Sequence, residues 1–157
     1  MSNMNCDPAF CTAGQPNVAL SNIQDNYGCW CYFAGNFVRG KGAAQDSIDS
    51  LCKNLHRGYR CCIIDDDEVG VDCDPGDVTY NIFTLTSDDD FETQCTTANP
   101  SADACTLRTC IVEHSFMWHL GQLLADGFSV DVDNQHVQGN FLHADTCVGI
   151  VFESWLP

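Results

Sequence analysis

The chain has 157 residues, 45% of them hydrophobic, with 22 acidic against 6 basic side chains and a formal net charge of −16. That apolar content excludes a disordered polymer, and the length predicts one domain, 1–157, with a core of its own. The acidic field disfavours nucleic acid and anionic membrane surfaces as partners, and no apolar run reaches the roughly 20 residues of a membrane span.

Residues 1–26 are polar and turn-rich, and "CDPAFC" within them has the spacing of a small closed loop. The start, "MSNMNCDPAF", has neither a basic nor an apolar leader region, so no signal peptide is visible. Export would therefore proceed without a cleaved leader or follow its removal.

The next stretch, "NYGCWCYFAG" at 26–35, sets two cysteines one residue apart among aromatics and glycines. Twelve cysteines in all stand at 6, 11, 29, 31, 52, 61, 62, 73, 95, 105, 110 and 147. Zinc sites and redox pairs favour CxxC spacing, and no CxxC occurs. The expectation is six structural disulfides and an extracellular, oxidising compartment. No N-x-[ST] acceptor is present, so secretion would proceed without N-glycans.

The first strong periodicity is 46–62, where Ile48, Leu51, Cys52, Leu55, Tyr59 and Cys62 recur at steps of three and four, one face of a helix. Asp46 is its expected cap, with Arg57 and Arg60 suited to the last turn. "DVTYNIFTLT" at 77–86 alternates Val78, Tyr80 and Ile82, and "SDDDFETQC" at 87–95 is read as the returning leg of a small β-hairpin. A second helix is predicted over 103–125, announced by Pro100, Ser101 and Asp103. The tail holds "FSVDVD" and "CVGIVFESW", short strands or irregular structure.

Three motifs together resemble one family. "YGCWC" at 27–31 is similar to the YGCYC that opens the calcium loop of secreted phospholipases A2. "GKGAAQDSID" at 40–49 resembles GxGxPxDxLD, with Ala44 in place of proline, and Cys105 to Glu113 resembles C-x4-C-x-C-D. The resemblance covers about 27–118, with a loop expansion "YFAGNFVRG" after Cys31. It implies an α-rich, disulfide-framed small domain: two long antiparallel helices with a small β-hairpin between them. It also implies the pairs Cys31–Cys52, Cys95–Cys110, Cys29–Cys147, and Cys105 with Cys61 or Cys62. The partners of Cys6, Cys11, Cys73 and the remaining thiol stay open. Two further bridges of the family would fall on Leu51 with His119 and on Gly58 with Val112, where both cysteines of each pair are missing.

The family's chemistry uses a histidine base on the first helix, followed by an aspartate that holds calcium with loop carbonyls. The ungapped register puts Leu55 at the base position and His56 at the calcium position. Leucine moves no proton, and calcium takes oxygen ligands. Sliding by one residue makes His56 the base, but then Arg57 stands at the calcium position and every side chain rotates by about 100°. Were the chain active, His56, Glu113 and Tyr59 would be its catalytic residues, with calcium as cofactor; the expectation is no confident catalytic residue, metal or cofactor.

His114 and His119 flanking Glu113 are at i, i+5, on different faces, unlike a zinc helix. The acid runs "DDDE" (65–68) and "DDD" (88–90) are read as solvated, and "DVDNQH" (131–136) lacks the glycine and oxygen donor of a calcium loop. Trp30, Tyr32, Phe33 and Phe37 crowd the loop expansion. Two readings stay open: an aromatic rim for protein contact, or rings folded back over the site left by lost chemistry. The leading expectation is a catalytically inactive, secreted phospholipase-A2-like protein acting in protein interaction or extracellular assembly with other protein subunits. The alternatives are a lipid hydrolase using His56 and a lipid-binding module without hydrolysis.

Overall fold

A computed structural model describes residues 20–33, 40–81, 90–136 and 141–148. The first long helix, α1, runs Ser47–Asp67. Asp46 caps it by accepting the Asp49 N–H at 2.8 Å, which fills one of the orphan donors of the first turn. It continues through "IIDDD" beyond Cys62, so Arg57 and Arg60 lie mid-helix and the last turn carries no basic residue. This corrects the expected C-terminal boundary.

The expected return leg of a hairpin is a helix instead: α2, Phe91–Ala98. Asp90 caps it by accepting the Thr93 N–H at 2.8 Å and the Thr93 hydroxyl. Asp90 thus starts a helix rather than turning a strand; the acids at 88 and 89 lie outside the described residues. Residues 78–81 form no strand, and 82–86 lie outside the described residues. Among the described residues the β-structure is a lone antiparallel bridge, Tyr27 with Gln135.

The second long helix, α3, spans Ala104–Ala125, with Asp103 capping through the Thr106 N–H at 2.8 Å. A 3-10 turn, Val132–Asn134, and a short helix, α4, His143–Thr146, follow. The architecture is α-rich and disulfide-framed. No helix among the described residues is long and apolar enough to cross a membrane.

α1 and α3 pack antiparallel, as three pairings show: Gly58 faces Val112, Tyr59 bonds Glu113, and Arg108 forms an ion pair with Asp66. From the pairs at 58–59 with 112–113 to the pair 66 with 108, the α1 number rises while the α3 number falls. At Gly58 the approach is close: a Cβ placed there would lie 2.6 Å from Val112 Cγ1. Glycine therefore admits the valine, and the seam closes without a larger side chain. Ile48, Cys52, Leu55 and Tyr59 from α1 meet Phe116, Met117 and Leu120 from α3 in the main core, joined by Leu20, Ile23, Tyr27 and Trp30. Each such aliphatic or aromatic side chain taken from water contributes about 1.5–3 kcal/mol.

Among the described residues four disulfides brace this frame: Cys29–Cys147, Cys31–Cys52, Cys73–Cys105 and Cys95–Cys110. Cys105 therefore pairs with Cys73, not with Cys61 or Cys62. The reason is spatial, since Cys62, Cys73 and Cys105 share one small buried cluster and the choice among them is made there. Cys61 and Cys62 have no disulfide among the described residues; Cys6 and Cys11 lie outside them.

His114 is wholly buried on α3, its Nδ1 2.8 Å from the Cys110 carbonyl oxygen. Burial lowers its pKa from the ordinary 6.5, while the Cys110 contact opposes this. The folded chain thus binds fewer protons here than the unfolded one. The stability this contributes is full above about pH 6.5 and is lost as pH falls through the folded value, at no more than about 1.4 kcal/mol per pH unit. Thermal melts between pH 7.5 and 5.5 should show Tm falling on acidification, with a shallower slope for His114→Gln.

Candidate functional site

The loop 27–31 is built on the start of α1. Asp49, one turn into the helix, is buried and turns its carboxylate back towards the loop. Its Oδ2 accepts the N–H groups of Cys29 and Gln45, both at 2.9 Å, and its Oδ1 accepts that of Trp30 at 2.8 Å. Gly28 is the residue that lets the loop come so close. It adopts φ +55, and a Cβ there would stand 2.3 Å from the Asp49 carboxyl carbon. Burial pushes the Asp49 pKa up, against the three donors that pull it down. Disulfides to Cys52 and Cys147 fasten the same loop to α1 and to the C-terminal segment.

The aromatics of the loop turn inward. Trp30 and Tyr32 are buried and Phe33 packs edge-on to Phe116, ring centroids 5.7 Å apart. Of the two readings left open by the sequence, these three residues follow the folded-back one, so they do not present an exposed contact rim. Phe37 lies outside the described residues. Trp30 Nε1 donates to the Gly42 carbonyl at 3.0 Å, and the Trp30 ring meets the His56 ring edge-on at 5.7 Å. The Lys53 ammonium sits 4.9 Å from the centre of the same indole, a cation–π contact.

Glu113, on α3, collects two phenols. Tyr59 donates to Oε1 at 2.5 Å and Tyr80 donates to Oε2. Burial raises both tyrosine pKa values well above 10, and the neighbouring carboxylate adds to the shift, so both are neutral donors at ordinary pH. Tyr59 and Glu113 are thus brought together. Tyr80 is the partner that sequence reasoning missed, because its alternating neighbours placed it in a hairpin. Leu55, 2% exposed, is packed in the core between the helices.

A third cluster joins the loop to the tail. His136 Nε2 donates to the Gly28 carbonyl at 2.6 Å, and its ring stacks on Phe141 and lies beside Tyr32 and His143. This cluster was not visible in the sequence, since its loop residues, Gly28 and Tyr32, stand more than a hundred positions from its tail residues.

Among the described residues two groupings of buried ligand-type atoms occur: Cys95, Cys110 and His114, and Asp66, Cys73 and Cys105. In both, the sulfurs are already joined as disulfides, which removes the thiolates a metal would need. Cys62 is a thiol in an apolar nest, its pKa pushed up to about 11 chiefly by burial, so it is a protonated, poor nucleophile at neutral pH. Open space along the α1–α3 seam forms a groove of about 290 Å³, lined mostly by Leu51, Leu55, Ile111, Val112 and Phe116, with Asn54 and His119 also on it.

No family model, no curated protein and no solved structure matches the chain.

Replacing the loop's anchor tests its role. Asp49→Asn keeps the shape but offers one acceptor oxygen for three donors, leaving at least one buried N–H facing an amide N–H. The expected cost is about 1–3 kcal/mol, read as a fall of several degrees in Tm. An unchanged melt would remove Asp49 from its place as the loop's anchor.

Proposed function

We propose that this chain is a degenerate phospholipase-A2-like scaffold that has lost hydrolysis and works outside the cell by protein contact and assembly. The observation that carries the reading is the pair at the chemical position: Leu55 is buried apolar packing, and His56 lies against the Trp30 ring. In the resemblance's register one should move a proton and the other should grip a cation; neither side chain does.

The register itself has support that did not enter its choice. Leu51 and His119 line one groove, and Gly58 lies against Val112, the two pairs at which the family's extra bridges would fall. Tyr59 and Tyr80 converge on Glu113, an arrangement that fits a network of tyrosines about the second helix's acid. Leu55 offers that network nothing to orient.

The residues do not fit calcium. Both Asp49 oxygens are taken by three backbone donors, and the Trp30 carbonyl accepts the Tyr32 N–H at 2.8 Å. The side chain expected to supply a carboxylate is an imidazole, and a lysine ammonium stands beside the same indole. A hard dication needs several oxygen ligands, and here an imidazole and a lysine ammonium stand near the loop instead. No step is routed through an ion.

The disulfide frame suits an oxidising compartment, and with the dyad gone the scaffold's remaining assets are a braced surface and an open helix seam. Lipid hydrolysis through His56 and simple acyl binding are the readings it competes with.

Two measurements test this. Phospholipid turnover should be absent with and without added calcium, and calcium should leave Tm unchanged. Turnover that disappears in His56→Ala would overturn the proposal. The register is tested separately, in a Cys61→Ser background: a Cβ at Gly58 lies 3.4 Å from Val112 Cβ, close to the roughly 3.5–4.5 Å of a disulfide. Gly58→Cys with Val112→Cys should therefore form a bridge, found by non-reducing peptide mapping, and add about 2–4 kcal/mol of stability. Two free thiols would remove the register.

A further inference from the structure

We infer that Cys62, Asp66, Cys73 and Cys105 form a redox-gated zinc site, shut while Cys73–Cys105 is a disulfide and opened when a dithiol reduces it. The inference goes beyond the non-hydrolytic reading above and does not depend on it.

The four residues converge on one corner of the molecule. Cys62 and Asp66 stand four positions apart on α1, so they share one face of the helix. Cys73 comes from the segment after α1, and Cys105 from the first turn of α3. Cys62, Cys73 and Cys105 pack in one buried cluster. A carboxylate oxygen of Asp66 and the sulfurs of Cys73 and Cys105 all lie within 4.8 Å of one another. Tetrahedral zinc, with bonds of about 2.0–2.3 Å, holds its ligand atoms roughly 3.5–3.8 Å apart. Opening the bridge frees the two sulfurs to take that spacing.

Asp66 is the residue that points to a cation. It is 2% exposed, and Arg108 pairs with its Oδ1. Among the described residues its Oδ2 is buried with no hydrogen-bond partner. A carboxylate oxygen left in that state costs free energy that a bound cation recovers. One oxygen held by an outer donor and the other left for the ion is also how ligating carboxylates are oriented. Three thiolates and one carboxylate exceed the charge of a dication, and the Arg108 guanidinium offsets part of the surplus. Sulfur ligands select zinc over calcium or magnesium, which take oxygen.

Access supplies the gate. Among the bridged cysteines described, Cys73 and Cys105 are 3% and 6% exposed, while the others are at 0%. This is therefore the bridge that an outside reagent reaches first. A thiolate of the dithiol attacks one sulfur and the Cys73–Cys105 bond breaks. Its second thiol then closes on the mixed disulfide, so the reagent leaves as a disulfide and its two electrons stay with Cys73 and Cys105. Zinc binds the three sulfurs as thiolates, and their protons go to solvent. The disulfide joins α3 to the segment after α1, whereas the ion ties in α1 as well.

The test is limited reduction with dithiothreitol in a Cys61→Ser background, which removes the exposed thiol. Alkylation and peptide mapping should find Cys73 and Cys105 opened before the other bridges. That product should bind one zinc per chain and melt higher with zinc than without, while the oxidised chain binds none. Cobalt in place of zinc should give thiolate charge-transfer absorption and the visible bands of a tetrahedral ion. Cys62→Ser, which breaks no bridge, and Asp66→Asn should each weaken zinc binding by about tenfold or more. Oxidised Cys62→Ser should keep its parent's Tm, and His114→Gln, at the other grouping of ligand atoms, should leave zinc binding unchanged. Uptake that survives both Cys62→Ser and Asp66→Asn overturns the site, as does uptake lost in His114→Gln or a reduced chain that takes up no zinc. Zinc bound equally by the oxidised chain, or another bridge opening first, overturns the gate. None of these outcomes bears on phospholipid turnover, which its own assay decides.

Discussion

A single carboxylate, that of Asp49, organises the end of the molecule where the loop, α1 and the tail meet. It is buried, and its two oxygens receive three backbone N–H groups from residues up to twenty positions away. Remove it and three donors lose their partner in a place that water does not reach, which is where an unmade hydrogen bond costs most. The flanking pieces depend on this geometry. Gly28 must be glycine to let the carboxylate in, and Cys29 and Cys31 then point to bridges that reach the tail and α1. Local conformation, burial and covalent staple agree here, which is what makes one arrangement win.

The helix seam works by a different economy of space. α1 and α3 are joined near one end by the ion pair of Arg108 with Asp66, in the middle by Tyr59 with Glu113 and Gly58 with Val112, and towards the other end by apolar side chains alone. No disulfide among those described joins α1 directly to α3. Their closeness comes from shape and hydrogen bonding, while Cys95–Cys110 and Cys73–Cys105 hold α3 to its neighbours. A seam closed in this way leaves room on its outer side, and that is the origin of the groove.

Much of this was legible in the residues. Asp46 and Asp103 stand where caps belong, and both long helices follow from apolar steps of three and four. The apolar face of α1 was read correctly to Cys62, and the error came beyond it, where three aspartates gave no period to follow. The hairpin failed for a sharper reason. Alternation of Val78 and Tyr80 is a strand signal only if a neighbouring strand exists, and Tyr80 instead sends its phenol to Glu113. Its supposed partner begins with Asp90 three residues before Thr93, which is capping chemistry, and tertiary contact through Cys95 keeps that helix in place. The partner of Cys105 was illegible in principle. Cys62 and Cys73 both reach its cluster, and spacing along the chain does not rank them. The inward turn of Trp30, Tyr32 and Phe33 depends on what lies beneath the loop, again a fact of the third dimension.

The bridge between Cys29 and Cys147 spans 118 positions, so most of the polypeptide lies inside one covalent ring. A protease that severs the backbone once within that ring opens it but releases no fragment. The nicked molecule stays a single body, with its helices held at their old neighbours while the cut ends fray. Damage of that kind is survivable as long as the sulfur link remains oxidised.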